Sequence, residues 1–181
     1  MRIIAGTRRS RIIKSLPGES TRPTLDVVKE AGFAKIGPWI QDKKGLDLFA
    51  GSGNIGLEAL SRGAKSVSFV DGSSQACQII KENIKSLDLI EQSSVYRMDC
   101  FQACRYFKSK NEVFDFVYLD PPYQKLELNK LLSALYPITA INSLIIYECL
   151  KEEKVEILEP YSLDKTSSYG RIALYFIRRT V

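Results

Sequence analysis

The sequence predicts an α/β fold, a mostly parallel seven-stranded sheet with helices on both faces and a β-hairpin added at the N-terminus. Three observations predict it. From Gly45 onward, short apolar runs alternate with segments of helical period, the pattern of a parallel sheet whose crossovers are helices. A glycine-rich turn, Gly51-Ser52-Gly53-Asn54-Ile55-Gly56, stands between the first of these strands and the first of these helices. Polar or acidic residues then close successive strands, which is where open parallel sheets bind their ligands.

The elements follow in order. Arg2-Ile3-Ile4-Ala5 and Arg11-Ile12-Ile13-Lys14 are β-branched runs flanking Gly6-Thr7-Arg8-Arg9-Ser10, which reads as a hairpin with arginines at its tip. Gly18 and Pro23 punctuate a short connection, and Thr24 can cap a helix over residues 25–36 with Asp26 in its first turn. Strands are expected at 45–50, 66–71, 95–99, 114–120 and 143–148, with helices at 54–62, 74–87, 101–109 and 126–135. Two more strands, 155–158 and 171–177, follow without a long helix between them and are expected to pair antiparallel at an edge. Residues 1–22 thus form a basic hairpin extension, and 23–181 a single globular domain.

A chain of 181 residues is the size of one domain. No apolar run reaches membrane-spanning length, and the Arg-rich start is not followed by the apolar stretch of a secretory signal, so a cytoplasmic location is expected. Cys77, Cys100, Cys104 and Cys149 lack the spacing of a zinc or redox site and are expected to stay reduced and pack. The chain has no histidine, which removes the usual general base and the commonest metal ligand. Net charge is +5, and all of the excess lies in residues 1–22, where Arg2, Arg8, Arg9, Arg11, Lys14 and Arg22 face Glu19 alone. Such a hairpin suits a phosphate backbone, or it is a solvated edge whose charges prevent sheet-to-sheet association.

The glycine turn lets backbone approach a ligand closely, and the amides at the following helix start favour a carboxylate or phosphate. Gly51-x-Gly53-x-x-Gly56 with Asp71 downstream also matches the dinucleotide fingerprint, so the turn leaves the choice between NAD and S-adenosylmethionine open. Asp71 can accept both hydroxyls of an adenosine ribose, and Asp99, closing the third strand, can accept an adenine amino group. Either acid can equally be a helix N-cap.

Asp120-Pro121-Pro122-Tyr123, at the end of the fourth strand, decides the chemistry. An exocyclic base amine is a poor nucleophile because its lone pair is delocalised into the ring. The Asp120 carboxylate and the Pro121 carbonyl supply two acceptors for its hydrogens, Pro121 and Pro122 fix a turn that exposes that carbonyl, and Tyr123 can stack on the base. A methyl carried on the sulfonium of S-adenosylmethionine needs no metal, covalent intermediate or histidine. The competing structural reading is a rigid strand exit with Tyr123 packed on a helix.

With these motifs in view, the sequence resembles the 16S ribosomal RNA guanine-N2 methyltransferases of the RsmD type. The resemblance is carried by Met1-Arg2-Ile3-Ile4-Ala5-Gly6, by Thr21-Arg22-Pro23-Thr24 with Lys29-Glu30-Ala31, and by 46–53, 56–64, 119–123 and Tyr169-Gly170. It implies a Rossmann-like class I S-adenosylmethionine-dependent methyltransferase fold. It implies that Asp47, Phe49, Ala50, Gly51, Ser52, Gly53 and Asp71 hold the cofactor, with Asp99 near the adenine and Arg22 and Thr24 near the methionine end. It also implies that Arg8, Arg9, Arg11 and Lys14 grip 16S rRNA or a partly assembled 30S subunit, that S-adenosylhomocysteine is the product, and that the protein acts as a monomer without membrane or metal. Gly32 and Ala34 stand where Leu and Asn are expected, and Met98 and Cys100 flank Asp99 where Gly and Ala are commoner. Gly32 is expected to weaken its helix by about 1 kcal/mol relative to Ala, and Ala34 to remove an amide from the cofactor edge. Two other functions remain in view. One is a DNA adenine-N6 or cytosine-N4 methyltransferase, disfavoured by connections too short for a target-recognition insertion; the other is a non-catalytic nucleic-acid-binding module.

Overall fold

The computed structural model describes residues 1–17, 23–122 and 127–181, and of residues 23–25 the backbone alone. The sheet has seven strands: β1 (Lys44–Asp47), β2 (Ser66–Asp71), β3 (Ser93–Arg97), β4 (Phe114–Leu119), β5 (Thr139–Leu150), β6 (Tyr161–Tyr169) and β7 (Ile172–Arg179). Their order is β3-β2-β1-β4-β5-β7-β6. The first five run parallel, while β7 lies antiparallel to both β5 and β6. The expected alternation is present, with α1 (Pro23–Ile36), α2 (Asn54–Ser61), α3 (Ser74–Ser86), α4 (Cys100–Ser109) and α5 (Leu128–Leu135) as the helices. No helix among the described residues is long and apolar enough to cross a membrane.

Alternating strand residues split the core into two layers. Phe69, Phe116, Tyr118, Ile146 and Leu174 face α1, α2 and α3 through Val28, Phe33, Leu57, Ile80 and Ile84. Leu46, Val70, Val117, Leu119 and Ile145 face α4 and α5 through Cys104, Phe107, Leu131 and Leu135. Gly32 belongs to this fit, since a Cβ there would lie 3.3 Å from Leu174 Cδ1. The residue that weakens α1 as an isolated helix lets it seat close against β7.

The penultimate strand differs from expectation. Residues 155–158 alternate apolar and polar, yet they form no ladder. Val155 and Ile157 pack against the α4–α5 layer, and the Asn129 side chain donates to Glu156 O at 3.0 Å, so α5 captures the segment before a strand can. β6 is instead the polar run Tyr161–Tyr169, an edge strand whose outer side faces water and whose sequence carries no apolar face to announce it.

The N-terminal residues fold back as a hairpin-like segment with a single bridge, Arg2 to Ile12, supported by Ile3 N–H to Arg11 O at 3.0 Å and Ile13 N–H to Met1 O at 3.0 Å. Ile3 and Ile13 are buried in the layer of α1 to α3. The segment is held by Glu58, a fully buried residue of α2, whose carboxylate accepts Ile4 N–H at 2.8 Å, Ala5 N–H at 3.0 Å and Arg62 Nε at 2.7 Å. Ser61 adds a second clasp, its carbonyl accepting Thr7 N–H at 2.8 Å and its hydroxyl accepting Arg8 N–H at 3.0 Å.

Gly6 is the closest point of this docking. It has φ +85°, and a Cβ there would fall 1.8 Å from Ser61 O. Gly6→Ala is therefore expected to lift the segment from α2 and to lower stability by about 1–3 kcal/mol, the range for forced overpacking. A urea midpoint equal to that of the wild type would contradict this docking.

Candidate functional site

The strand order reverses between β1 and β4, and a crevice opens there beyond the carboxyl ends of the strands. Two adjoining cavities occupy it. The larger, about 720 Å³, is bounded by Phe49, Gly51, Asp71, Asp99, Asp120 and Pro121, with Pro122, Met98 and Cys100 also on its wall. The smaller, about 190 Å³, is bounded by Lys29, Asp47, Ser52, Tyr118, Asp120 and Glu148, with Met1, Ala50 and Asn54 beside them. Phe49, Gly51 and Asp120 belong to both. The larger volume lies within the roughly 300–1,000 Å³ usual for small-molecule sites.

Local bonds shape the glycine turn. Asp47, at the end of β1, is buried, and its Oδ2 accepts Gly56 N–H at 3.0 Å. Gly56 must lie against β2, because a Cβ there would come 2.2 Å from the Phe69 ring; the third glycine of the turn thus serves close helix–strand contact. Gly53 turns the chain into α2 with φ +82°, and its N–H donates to Ala50 O. Asp71 Oδ2 accepts Gly51 N–H at 2.9 Å and its Oδ1 accepts Ser73 N–H at 2.8 Å. Each oxygen keeps a further lone pair, and Asp71 lines the larger cavity. Asn83, buried on α3, donates to Ser52 O and to Lys14 O, both at 3.0 Å, and ties the turn to the N-terminal segment.

Burial dominates the electrostatics. It pushes the Asp47 carboxyl up to about 7; the Gly56 amide opposes the shift, and the Asp71 charge adds to it. Burial also raises the Glu148 carboxyl, held back by the Tyr118 hydroxyl, which donates to its Oε2 at 2.5 Å. Burial lowers the Lys29 ammonium, against the attraction of Glu58 and Asp26. Lys29 Nζ donates to Arg2 O at 2.6 Å and to Asn54 Oδ1 at 2.7 Å, and lies 3.4 Å from Glu58 Oε2. With its protons so engaged, this ammonium ties the N-terminal segment to the start of α2.

Of the residues expected from sequence, Asp47, Phe49, Ala50, Gly51, Ser52, Asp71, Asp99, Asp120, Pro121 and Pro122 come together around the crevice. Tyr123 and Arg22 lie outside the described residues, as does the side chain of Thr24. Asp99 lines the larger cavity and is also the N-cap of α4, where its Oδ1 accepts Gln102 N–H at 2.9 Å in a capping box. Asp71 is not a cap, since Ser73 fills that place for α3. Ala34 is exposed and lines neither cavity.

The basic segment is arranged differently from a free arginine tip. Arg8 Nε donates to Leu87 O at 2.6 Å and Arg11 Nη2 to Ser86 O at 2.5 Å, so both guanidinium groups satisfy carbonyls at the C-terminal end of α3. Lys14 pairs with Glu82 at 2.8 Å. Arg9 is exposed, and its guanidinium has no partner among the described residues.

Lys29, Asn54, Tyr118 and Glu148 line the crevice without having been singled out from sequence. Glu148 could have been: it closes the fifth expected strand, and the strand-end reasoning applied to Asp71 and Asp99 reaches it equally. Tyr118 and Lys29 carry no such signal, because one is a strand interior residue and the other lies mid-helix.

Comparison with known proteins yields a consistent family. The family model described as "Conserved hypothetical protein 95" matches residues 1–178. The "Putative rRNA methyltransferase YlbH" of Bacillus subtilis is 39% identical over 180 residues, covering 97% of this chain and 98% of that protein. The "Ribosomal RNA small subunit methyltransferase D" of Haemophilus influenzae is 34% identical, covering 96% of this chain and 91% of its own. Among solved structures, the "Putative methyltransferase yhhF from Escherichia coli" superposes with a TM-score of 0.84 at 30% identity over 100% of this chain and 98% of that one.

The raised Asp47 carboxyl has a measurable consequence. Without ligand, the folded state holds a proton on Asp47 at pH values where the unfolded chain, titrating near pH 4, has released it. Its cost to the fold is therefore absent in acid, grows as pH rises towards 7 and is constant above that. Asp47→Asn keeps an acceptor for Gly56 N–H without the charge. It is expected to raise Tm by several degrees at pH 8, with roughly 2–4 °C for each kcal/mol in a chain of this size, and by less at pH 5. An equal gain at both pH values would refute the titration.

Proposed function

The chain belongs to the RsmD-type methyltransferase family, and on that premise we propose that it methylates the exocyclic N2 amine of a guanine in 16S ribosomal RNA, using S-adenosylmethionine. The observation that carries this reading is the position of Asp120, which stands at the end of β4 on the wall common to both cavities. A reacting amine held by Asp120 lies beside any ligand that spans the two.

The cavities suit such a ligand. The larger offers Asp71 for ribose hydroxyls and Asp99 for an adenine edge, with Met98 and Cys100 as apolar walls. The smaller offers carboxylates and the glycine turn to a charged tail. S-adenosylmethionine supplies, when bound, a methyl on a sulfonium, and its transfer does not call on an imidazole, in keeping with a chain that has no histidine. The Asp120 carboxylate and the Pro121 carbonyl accept the two amine hydrogens, draw the nitrogen lone pair out of conjugation and hold it facing the donor. Pro121 and Pro122 restrict the turn that presents these acceptors. Tyr123 stacks on the base, a contact worth about 1–3 kcal/mol.

The choice of guanine N2 rests on the family, and that of small-subunit RNA also on the printed name of the Haemophilus relative. The basic N-terminal segment is the surface offered to RNA, with Arg9 as a cation that has no partner among the described residues, Arg8 and Arg11 serving both the end of α3 and phosphate, and Lys14 exchanging Glu82 for phosphate. We place the reaction in the cytoplasm, on 16S rRNA or a partly assembled 30S subunit, with the enzyme acting as a monomer.

Mass spectrometry of 16S rRNA from a deletion strain is expected to show the loss of one N2-methylguanine; loss of a methyladenine, or of nothing, would overturn the assignment. Asp120→Ala is expected to lower the single-turnover methylation rate by about 100-fold or more while changing cofactor affinity by less than about tenfold. Equal losses in the two would remove Asp120 from the amine. Arg9→Ala is expected to reduce the slope of log affinity for rRNA against log salt by about 1, with no change in Tm. An unaltered slope would leave the segment as structure only.

A further inference from the structure

Two buried acids at the smaller cavity are incompletely satisfied among the described residues. Asp47 and Glu148 both reach it, and both are more than nine-tenths buried. The cation beside them, Lys29, directs its protons to Arg2 O, Asn54 Oδ1 and Glu58. Each buried acid spends one oxygen on the protein, Asp47 Oδ2 on Gly56 N–H and Glu148 Oε2 on the Tyr118 hydroxyl. Neither Asp47 Oδ1 nor Glu148 Oε1 has a hydrogen-bond partner among the described residues, and neither is among the sealed atoms that lack one, which are the Ser93 and Ser143 hydroxyls. Both oxygens therefore open into the cavity.

Buried carboxylates turned on one small space are costly unless a cation completes them. The compartment adjoins the larger cavity across Phe49, Gly51 and Asp120, so a ligand with its nucleoside in the larger space sends its tail into the smaller one. The pairing of β4 with β5 makes Tyr118 a neighbour of Ile146 and Leu119 of Tyr147, so Asp120, just past the end of β4, comes beside Glu148, which is still within β5 and paired with Leu174 of β7. Tyr118 then fixes the carboxylate by its hydrogen bond.

We propose that Glu148, positioned by Tyr118, is a cofactor-specificity residue that joins Asp47 in receiving the α-ammonium of the amino-acid end of S-adenosylmethionine. The inference rests on the reading of the crevice as the S-adenosylmethionine site and adds the group that tells the full cofactor from a bare nucleoside. An amino-acid tail brings a positive charge to the two carboxylate oxygens that have no partner among the described residues; a nucleoside thioether without that tail does not.

Isothermal titration of wild type, Glu148→Gln and Tyr118→Phe with two probes tests it. S-adenosylhomocysteine carries the amino-acid group, and 5′-methylthioadenosine lacks it. Glu148→Gln keeps an acceptor for Tyr118 and is expected to fold with a Tm near or above that of the wild type. It should bind S-adenosylhomocysteine about tenfold or more weakly and 5′-methylthioadenosine within about twofold of wild type. Tyr118→Phe should give a smaller loss with the same selectivity. Unchanged affinity for S-adenosylhomocysteine, or an equal loss for both probes, overturns the role of Glu148. Should wild type bind neither probe, the cofactor site itself is wrong and this inference falls with it.

Discussion

Asp47 meets Gly56 through one buried hydrogen bond, and the functional end of the molecule is organised about that contact. The bond closes the turn between β1 and α2, which sets the backbone of Gly51 at Asp71 and the carbonyl of Ser52 at Asn83. β1 lies between β2 and β4, and its bonding continues past its last residue, with Leu48 N–H on Tyr118 O and Ala50 N–H on Val70 O. The turn therefore cannot move without disturbing strands on both sides. Burial makes a carboxylate in this place costly to the fold, a cost that the proposed cationic ligand would offset.

The N-terminal segment belongs to the same construction. Buried Glu58 and Lys29 and half-buried Arg62 form an ionic group that also binds the backbone of the segment, with the Ile4 and Ala5 amides on Glu58 and the Arg2 carbonyl on Lys29. Groups of this kind contribute little net stability compared with apolar replacements, and a single uncompensated removal is severe. Their effect here is positional. Residues 2–5 sit at one place on α2, and Met1 lies at the smaller cavity as a result.

Two roles meet in the arginines of that segment. Arg8 and Arg11 complete carbonyls that α3 leaves open at its C-terminal end, where positive charge also suits the helix dipole. The same side chains belong to residues 1–22, the stretch in which the whole excess of positive charge lies. Cations held in order in this way would lose less entropy on meeting the proposed RNA.

Local pattern was enough for much of this. Alternation of strand and helix, the spacing of Gly51, Gly53 and Gly56, and the acids Asp71, Asp99 and Asp120 at the ends of the second, third and fourth expected strands were legible in the residues, because period, glycine placement and strand-end chemistry are properties of short stretches. The 155–158 run misled for the same reason: its alternation is real, and only the presence of α5, with Asn129 offering a bond to Glu156, decides that it docks as a strap while the polar Tyr161–Tyr169 becomes the edge strand. Asp99 was equally readable as ligand residue and helix cap, and the fold shows a cap that also lines the cavity. Which charges are free was beyond the sequence altogether. Arg8 and Arg9 are adjacent and alike in the chain, yet one is spent on α3 and the other is not; Lys29 looks like a surface lysine and is buried; Glu148 acquires its meaning from Tyr118, thirty residues away. The sequence determines what each segment tends to form, whereas partners distant in the chain are chosen by packing, and solvation and charge pairing follow from those partners.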